Sequence, residues 1–232
     1  MKKLLSTFLF FFTLLNAIAQ TLSPTIVKHS GINYERIAQI DTILKHYEDK
    51  NWLVGDVVII VKDNQVVYYK GHGYSNLSIK KPMQADAIFR IMSQTKAIIS
   101  FGIMQLIERG QLGLDQNISD FIPAFKNPKL IKSFNRLDSS FTTTPANREI
   151  TIRDLLTHTS GIDYPAIGTD TMQAVYAKNN IPSGLGYFNE NLLSKMKALG
   201  TLPLLHNPGE RFTYGLNADL LGCLIEIISG SR

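Results

Sequence analysis

The sequence predicts an α+β fold, on three observations. Residues 57–62 and 65–70 are β-branched and aromatic runs separated by Asp63-Asn64, which reads as an antiparallel hairpin. Residues 34–50 carry apolar side chains at Ile37, Ile40, Ile43, Leu44 and Tyr47, a helical stripe expected to cover that hairpin. Residues 97–107 are hydrophobic on every side of a helical projection, and a helix apolar all round is a buried one.

The first twenty residues stand apart from the fold. Lys2 and Lys3 precede an apolar run over 4–15, and Ala17-Ile18-Ala19 supplies a small-x-small cleavage site before Gln20. The run is short for a bilayer span. It reads as a signal peptide over 1–19, giving an exported protein, secreted or periplasmic, with no stable membrane anchor after cleavage and one domain over 20–232. The single cysteine, Cys223, permits no internal disulfide, and no lipid-attachment cysteine follows the apolar run. Without Lys2 and Lys3, 22 of the 24 basic residues face 19 acidic ones, so the net charge falls from +5 to +3. Those basic residues form neither a run nor an aromatic-interleaved stripe, so no nucleic-acid partner is expected.

Further along, Gly71-His72-Gly73 ends the second strand, and a polar, proline-containing stretch leads to Ser93. The central helix stops at Arg109-Gly110. A short turn at 118–121 is closed by Pro123. Residues 127–147 and 164–189 lack periodicity and read as two long loops, suited to the walls of a substrate cleft. Between them a short apolar run, 150–156, leads into Thr157-His158-Thr159-Ser160-Gly161. A small helix follows over 192–199, and residues 208–215 introduce a last helix, 216–228, capped by Gly230. Cys223 falls in the apolar set of that helix as a core thiol, and Asp115, Asp154 and Asp163 stand at turns or caps.

The chemistry centres on Ser93 and Lys96. Spacing of three puts both on one helix face, so an amine can reach a hydroxyl that is a weak nucleophile until a neighbour takes its proton. A buried helix end would lower the lysine pKa by desolvation, and its backbone N–H groups would face a developing oxyanion. S-x-x-K occurs three times. Ser78/Lys81 lies in a polar stretch ended by a proline, and Ser194/Lys197 lies in a helix whose Lys195 and Lys197 read as solvated. Only the Ser93 copy opens an apolar helix. A G-x-S-x-G elbow is missing, as is a Gly-rich phosphate loop, and five scattered histidines without H-E-x-x-H offer no metal ligand set. No cofactor is expected.

Three blocks in order then carry a resemblance: Ser93-Gln94-Thr95-Lys96; REITIRDLLTHTSG over 148–161; and PGERFTYGLNADLLGCLIEIISG over 208–230. Together they resemble the serine β-lactamase and penicillin-binding-protein superfamily, most of all its class C-like branch, which also holds D-amino-acid peptidases and carboxylesterases. The resemblance implies a β-lactamase/transpeptidase-like α+β fold, an antiparallel sheet layered between helices (α/β/α) beside a helical region. It makes Ser93 the acylated nucleophile, Lys96 its basic partner, and Tyr214 the tyrosine of a Tyr-x-Asn motif that moves protons. A phenol titrates near ~10, so such a tyrosine needs its anion stabilised, and Lys96 is the source to hand.

Two departures qualify this. Leu216 stands where the family has asparagine, and Asn217, one residue on, does not inherit that role; the variant looks more like the esterase and peptidase relatives than the β-lactamases. The family's Lys-Thr-Gly or His-Thr-Gly strand follows the tyrosine, whereas His158-Thr159-Ser160-Gly161 precedes Tyr214 and follows a helical stretch, so His158 reads as structural. The chain therefore looks like the N-terminal part of a longer enzyme, incomplete at the C-terminus. The resemblance implies an exported serine hydrolase acting through acyl-Ser93 on an amide or ester in a peptide or small molecule, whether a D-Ala peptide, a β-lactam or a small ester. The alternative is a non-catalytic remnant or binding module of the same fold.

Overall fold

In this computed structural model, residues 26, 28, 29, 31–183 and 190–230 are described, so the expected leader over 1–19 lies outside the described residues. The chain divides into two compact units, one running to Phe89 and the other starting at Arg90.

In the first unit, helix α1 (Tyr34–Asp49) starts at Asn33, whose side chain accepts from the Arg36 N–H at 3.0 Å. Strands β1 (Gly55–Lys62) and β2 (Gln65–Asn76) form the expected hairpin, with Lys62 opposite Gln65. Asp63 and Asn64 both have positive φ, 48° and 58°, the backbone of a primed two-residue turn that matches strand twist. Strand β2 does not end at Gly71-His72-Gly73, as the sequence suggested. Gly71 pairs with Val57 and Gly73 with Gly55, and the strand continues to Asn76 beside β3 (Lys81–Pro82).

The helix meets the hairpin through a polar seam rather than a fully apolar one. None of the α1 side chains is fully buried. Instead Asp41 accepts from the Tyr68 hydroxyl at 2.6 Å, faces His72 Nε2 at 2.8 Å and pairs with Lys70 at 3.1 Å. His72 Nδ1 faces Asp56 at 3.1 Å, so carboxylates flank both ring nitrogens. The Tyr68 and His72 bonds hold the Asp41 carboxyl down at about 2, while burial and the Asp41 bond push the Tyr68 phenol up.

The second unit is mostly helical: α2 (Thr95–Glu108), α3 (Ile152–Leu156), α4 (Asp170–Lys178), α5 (Leu192–Gly200) and α6 (Asn217–Ser229). Its core is built on α6, whose Leu220, Leu221, Cys223 and Leu224 are at most 1% exposed. They share one cluster with Ile103 and Leu106 of α2, Leu155 of α3, and Met196 and Leu199 of α5. Each fully buried leucine contributes roughly 1.5–3 kcal/mol. Burial pushes the Cys223 thiol up to about 12, so it packs as an inert apolar group.

Four expectations need correction here. Helix α2 is not buried all round: Ile98, Phe101 and Met104 form a ridge that is 60%, 66% and 47% exposed. These residues recur every third position and so share one face, whereas the packed face is carried by Ile103 and Leu106. Residues 127–147 are no irregular loop but contain a hairpin, β4 (Lys129–Phe134) and β5 (Phe141–Pro145), whose Leu130, Ile131, Phe134 and Phe141 lean on the core. Residues 164–189 likewise contain α4, started by the Thr169 side chain accepting from the Met172 N–H, with Met172, Val175 and Tyr176 buried. Three apolar anchors in nine residues are too few to stand out as a period. Lys195, expected in water, is only 13% exposed and pairs with Glu190 at 2.7 Å.

One buried carboxylate organises the approach to the site. Asp154 closes a capping box at the start of α3 with Thr151 and takes both Arg148 guanidinium nitrogens, at 2.6 and 2.9 Å. Burial alone would push its pKa up, but the Arg148 and Thr151 bonds outweigh it, so the net shift is downward. Asp154→Ala is expected to destabilise the fold by about 2 kcal/mol, because it strips the capping acceptor of α3 and the partner of a half-exposed Arg148. The folded pKa lies below the unfolded value of 3.8, so this stability is full above pH 3.8 and is lost as pH falls through the folded value. Urea denaturation of the wild type and the variant at neutral and acid pH checks both statements.

Candidate active site

Ser93 sits in a tight 3₁₀ turn, Met92–Gln94, that runs straight into α2. Met92 has φ +48°, a left-handed backbone rare outside glycine, which reverses the chain just before the serine. Lys96 follows one turn on, and its Nζ donates to Ser93 Oγ at 3.4 Å. Ser93 is exposed and Lys96 half-buried, so the full desolvation expected of a buried helix end is absent. The amine lies instead over aromatic faces, 4.9 Å from the Tyr214 ring centre and 5.8 Å from that of Tyr164.

Tyr214 arrives from a segment 121 residues away, and its hydroxyl lies 2.7 Å from Ser93 Oγ. The segment is placed by the strip that follows α3. The Thr213 N–H donates to the His158 carbonyl at 2.7 Å, and the Gly209 N–H to the Thr159 carbonyl at 2.8 Å. Two glycines permit the approach. A Cβ on Gly215 would stand 2.0 Å from the Ile162 carbonyl oxygen; one on Gly161, where φ is +86°, would stand 2.3 Å from that of His206. Burial pushes the Tyr214 phenol up, but polar contact with Lys96, the Ser93 bond and the ammonium's charge outweigh it, so its pKa lies below the usual tyrosine value. The three residues singled out from the sequence are thus brought together, and the arrangement offers a serine hydroxyl both a proton acceptor and a cation to stabilise it.

Around this centre the structure adds what the sequence did not show. Two other rings stack on that of Tyr214, His158 at 5.1 Å and Tyr164 at 5.5 Å. Tyr164 stood in a stretch read as loop; an aromatic three residues past the Thr159-Ser160-Gly161 strip was its only signal. Leu216, in the place of the family asparagine, is core, 1% exposed. Asn217 turns fully inward, where its amide reaches His158 Nδ1 at 2.9 Å and its oxygen accepts from Ser160 at 2.5 Å. A cavity of about 510 Å³ borders Tyr214, with Ile167, Leu205 and Phe212 as apolar walls and Arg211 and Thr213 as polar ones.

Comparison with known proteins gives the same region a context. A family model described as Beta-lactamase matches residues 40–232. "Esterase EstB" of Burkholderia gladioli is 29% identical over 212 residues, covering 91% of this chain and 50% of that protein. "Protein flp" of Staphylococcus aureus (strain COL) is 32% identical over 192 residues, 82% of this chain and 33% of that protein. Among solved structures, "EstCE1, a hydrolase with promiscuous acyltransferase activity" superposes with a TM-score of 0.70 at 30% identity, over 85% of this chain and 48% of that one. The "octameric penicillin-binding protein homologue from Pyrococcus abyssi" does so with a TM-score of 0.60 at 26% identity, over 84% of this chain and 40% of that one. The chain spans half or less of the length of each of these relatives.

Proposed function

The chain belongs to the beta-lactamase family and has its α+β fold, and from that premise we propose that it is an exported serine hydrolase of the class C-like branch, cleaving small esters through an acyl-Ser93 intermediate. The 2.7 Å contact between the Ser93 and Tyr214 hydroxyls is the observation that carries the reading. Tyr214, its anion stabilised by the Lys96 ammonium, takes the proton of Ser93 Oγ as that oxygen bonds to the substrate carbonyl carbon. The bond to the leaving alcohol breaks and Tyr214 returns the proton to the alcohol oxygen. Water then attacks the acyl-serine by the same route in reverse, releasing the acid and restoring the serine. Backbone N–H groups at the start of α2 would face the developing oxyanion.

Two features favour an ester over a β-lactam. Leu216 offers no amide where a lactam carbonyl side chain would be held, and Asn217 is engaged internally with His158 and Ser160. The cavity beside Tyr214 has apolar walls suited to a short acyl or alkoxy group. EstB, by name an esterase, and EstCE1, by title a hydrolase and acyltransferase, support the same choice.

A fluorophosphonate probe followed by peptide mapping tests the reading. The expected result is one phosphonyl group per chain, on Ser93. A folded protein that takes no label, or takes it on another serine, would instead favour a non-catalytic member of the fold.

A further inference from the structure

We propose that His158 is a positioning residue for Tyr214: its neutral ring, with Nδ1 unprotonated, holds the phenol against Ser93, and protonating that ring disengages the phenol and closes the site in acid. This rests on the acyl-serine reading above and assigns that site a regulator.

The first support is packing. The His158 ring lies 5.1 Å from the Tyr214 ring at an interplanar angle of 22°, and the Tyr164 ring stacks on Tyr214 at 5.5 Å and 17°. The phenol ring is therefore held by two stacked aromatic contacts. The Phe212 ring meets His158 at 5.7 Å in a tilted contact, so the His158 ring is itself braced. His158 has φ +56°, a left-handed conformation at the end of α3, and its carbonyl takes the Thr213 N–H. Side chain and backbone of one residue thus grip the tyrosine segment on both sides of Tyr214.

The second support is the polarity of the bonds at Nδ1. The Gly215 backbone N–H points at that atom from 3.4 Å, and a backbone N–H can only donate. The Asn217 amide nitrogen lies 2.9 Å from the same atom. Its orientation is fixed from behind, because the Ser160 hydroxyl donates to Asn217 Oδ1 and itself accepts from the Ile162 N–H at 3.1 Å. Two donors converge on Nδ1, so the neutral ring carries its proton on Nε2. An imidazolium would set a third N–H against these two.

Of the charged and titratable groups around the ring, the Lys96 ammonium acts in the same direction. Lys96 approaches from α2 and Tyr214 from the segment before α6; Asp219 of α6 acts on both of them. Among the described residues no carboxylate bonds to the His158 ring. Burial and, after it, the Lys96 charge hold its pKa below the usual histidine range.

The test has two arms. In the first, the wild-type chain labelled with ¹⁵N-histidine is titrated by NMR, with the Tyr214 ring signals identified by their loss in Tyr214→Phe. The expected result is a bare Nδ1 and a protonated Nε2 at neutral pH, with the Tyr214 signals moving together with His158 protonation. A proton on Nδ1 at neutral pH, or Tyr214 signals that ignore the titration, would overturn the proposal. In the second arm, the rate of fluorophosphonate attachment to Ser93 is followed against pH. Wild type is expected to gain, below the His158 ionisation, a further limb of about tenfold per pH unit beyond the slope set by the phenol. His158→Asn, which keeps an acceptor but cannot titrate there, is expected to be about tenfold slower at neutral pH and to lack that limb. A variant that retained the wild-type limb would sink the idea. If no chain labels at any pH, the acyl-serine reading fails, while the NMR arm still decides whether His158 governs the tyrosine.

Discussion

Ser93→Ala is expected to lower turnover of a small activated ester by about 10⁴-fold or more while leaving the urea midpoint where it was. The two halves of that result have separate causes. The hydroxyl is the only group of Ser93 that meets both the phenol, at 2.7 Å, and the amine, at 3.4 Å, so its removal leaves nothing for the substrate to acylate. The side chain is also exposed and lies in a turn outside the core, where substitutions shift stability by no more than about 0.5 kcal/mol. Ester hydrolysis and denaturation measured on one preparation check both. Undiminished turnover in the alanine variant would remove the serine from the mechanism.

Tyr214→Phe comes second in size, with an expected loss of about 10²–10⁴-fold in kcat, the usual contribution of one positioned proton-transfer group. Phenylalanine preserves the ring that stacks with His158 and Tyr164, so the variant isolates the hydroxyl from the packing. Wild-type turnover is expected to rise with pH as the phenolate forms, at a pH below the ~10 of an ordinary tyrosine, and the variant to lose that rise. On the proposed mechanism Lys96 works through this anion, so Lys96→Ala is expected to cost little further in the Tyr214→Phe background. That non-additivity is the mark of residues acting as one unit. Two losses that simply multiplied would instead give lysine and tyrosine independent tasks.

Much of this was legible in the chain because the relevant signals are local. The Asp63-Asn64 turn needs two residues that accept positive φ and sits between two β-branched runs, so the hairpin could be read directly. Ser93 and Lys96 share one helical turn, and Gly230 caps α6 in the left-handed region. The features that escaped are those decided by distant partners. The β4–β5 ribbon draws its apolar contacts from a core assembled elsewhere in sequence, and Thr142, Thr143 and Thr144 mask its alternation. The α1 stripe suggested an apolar cover, yet Asp41, Tyr68 and His72 make the junction polar. The aromatic stacking around Tyr214 joins residues 158, 164 and 214, and no periodicity relates them.

The span of 121 residues between the serine and its phenol has a consequence for the newly made chain. A polypeptide that has formed α2 but not yet docked the tyrosine segment carries a serine no more reactive than any other hydroxyl. Contacts between points so distant form late, after the entropy of closing the intervening loop has been overcome. On the acyl-serine reading, reactivity is therefore withheld until that segment docks, and a reagent that attacks Ser93 is expected to report the docking in a single readout.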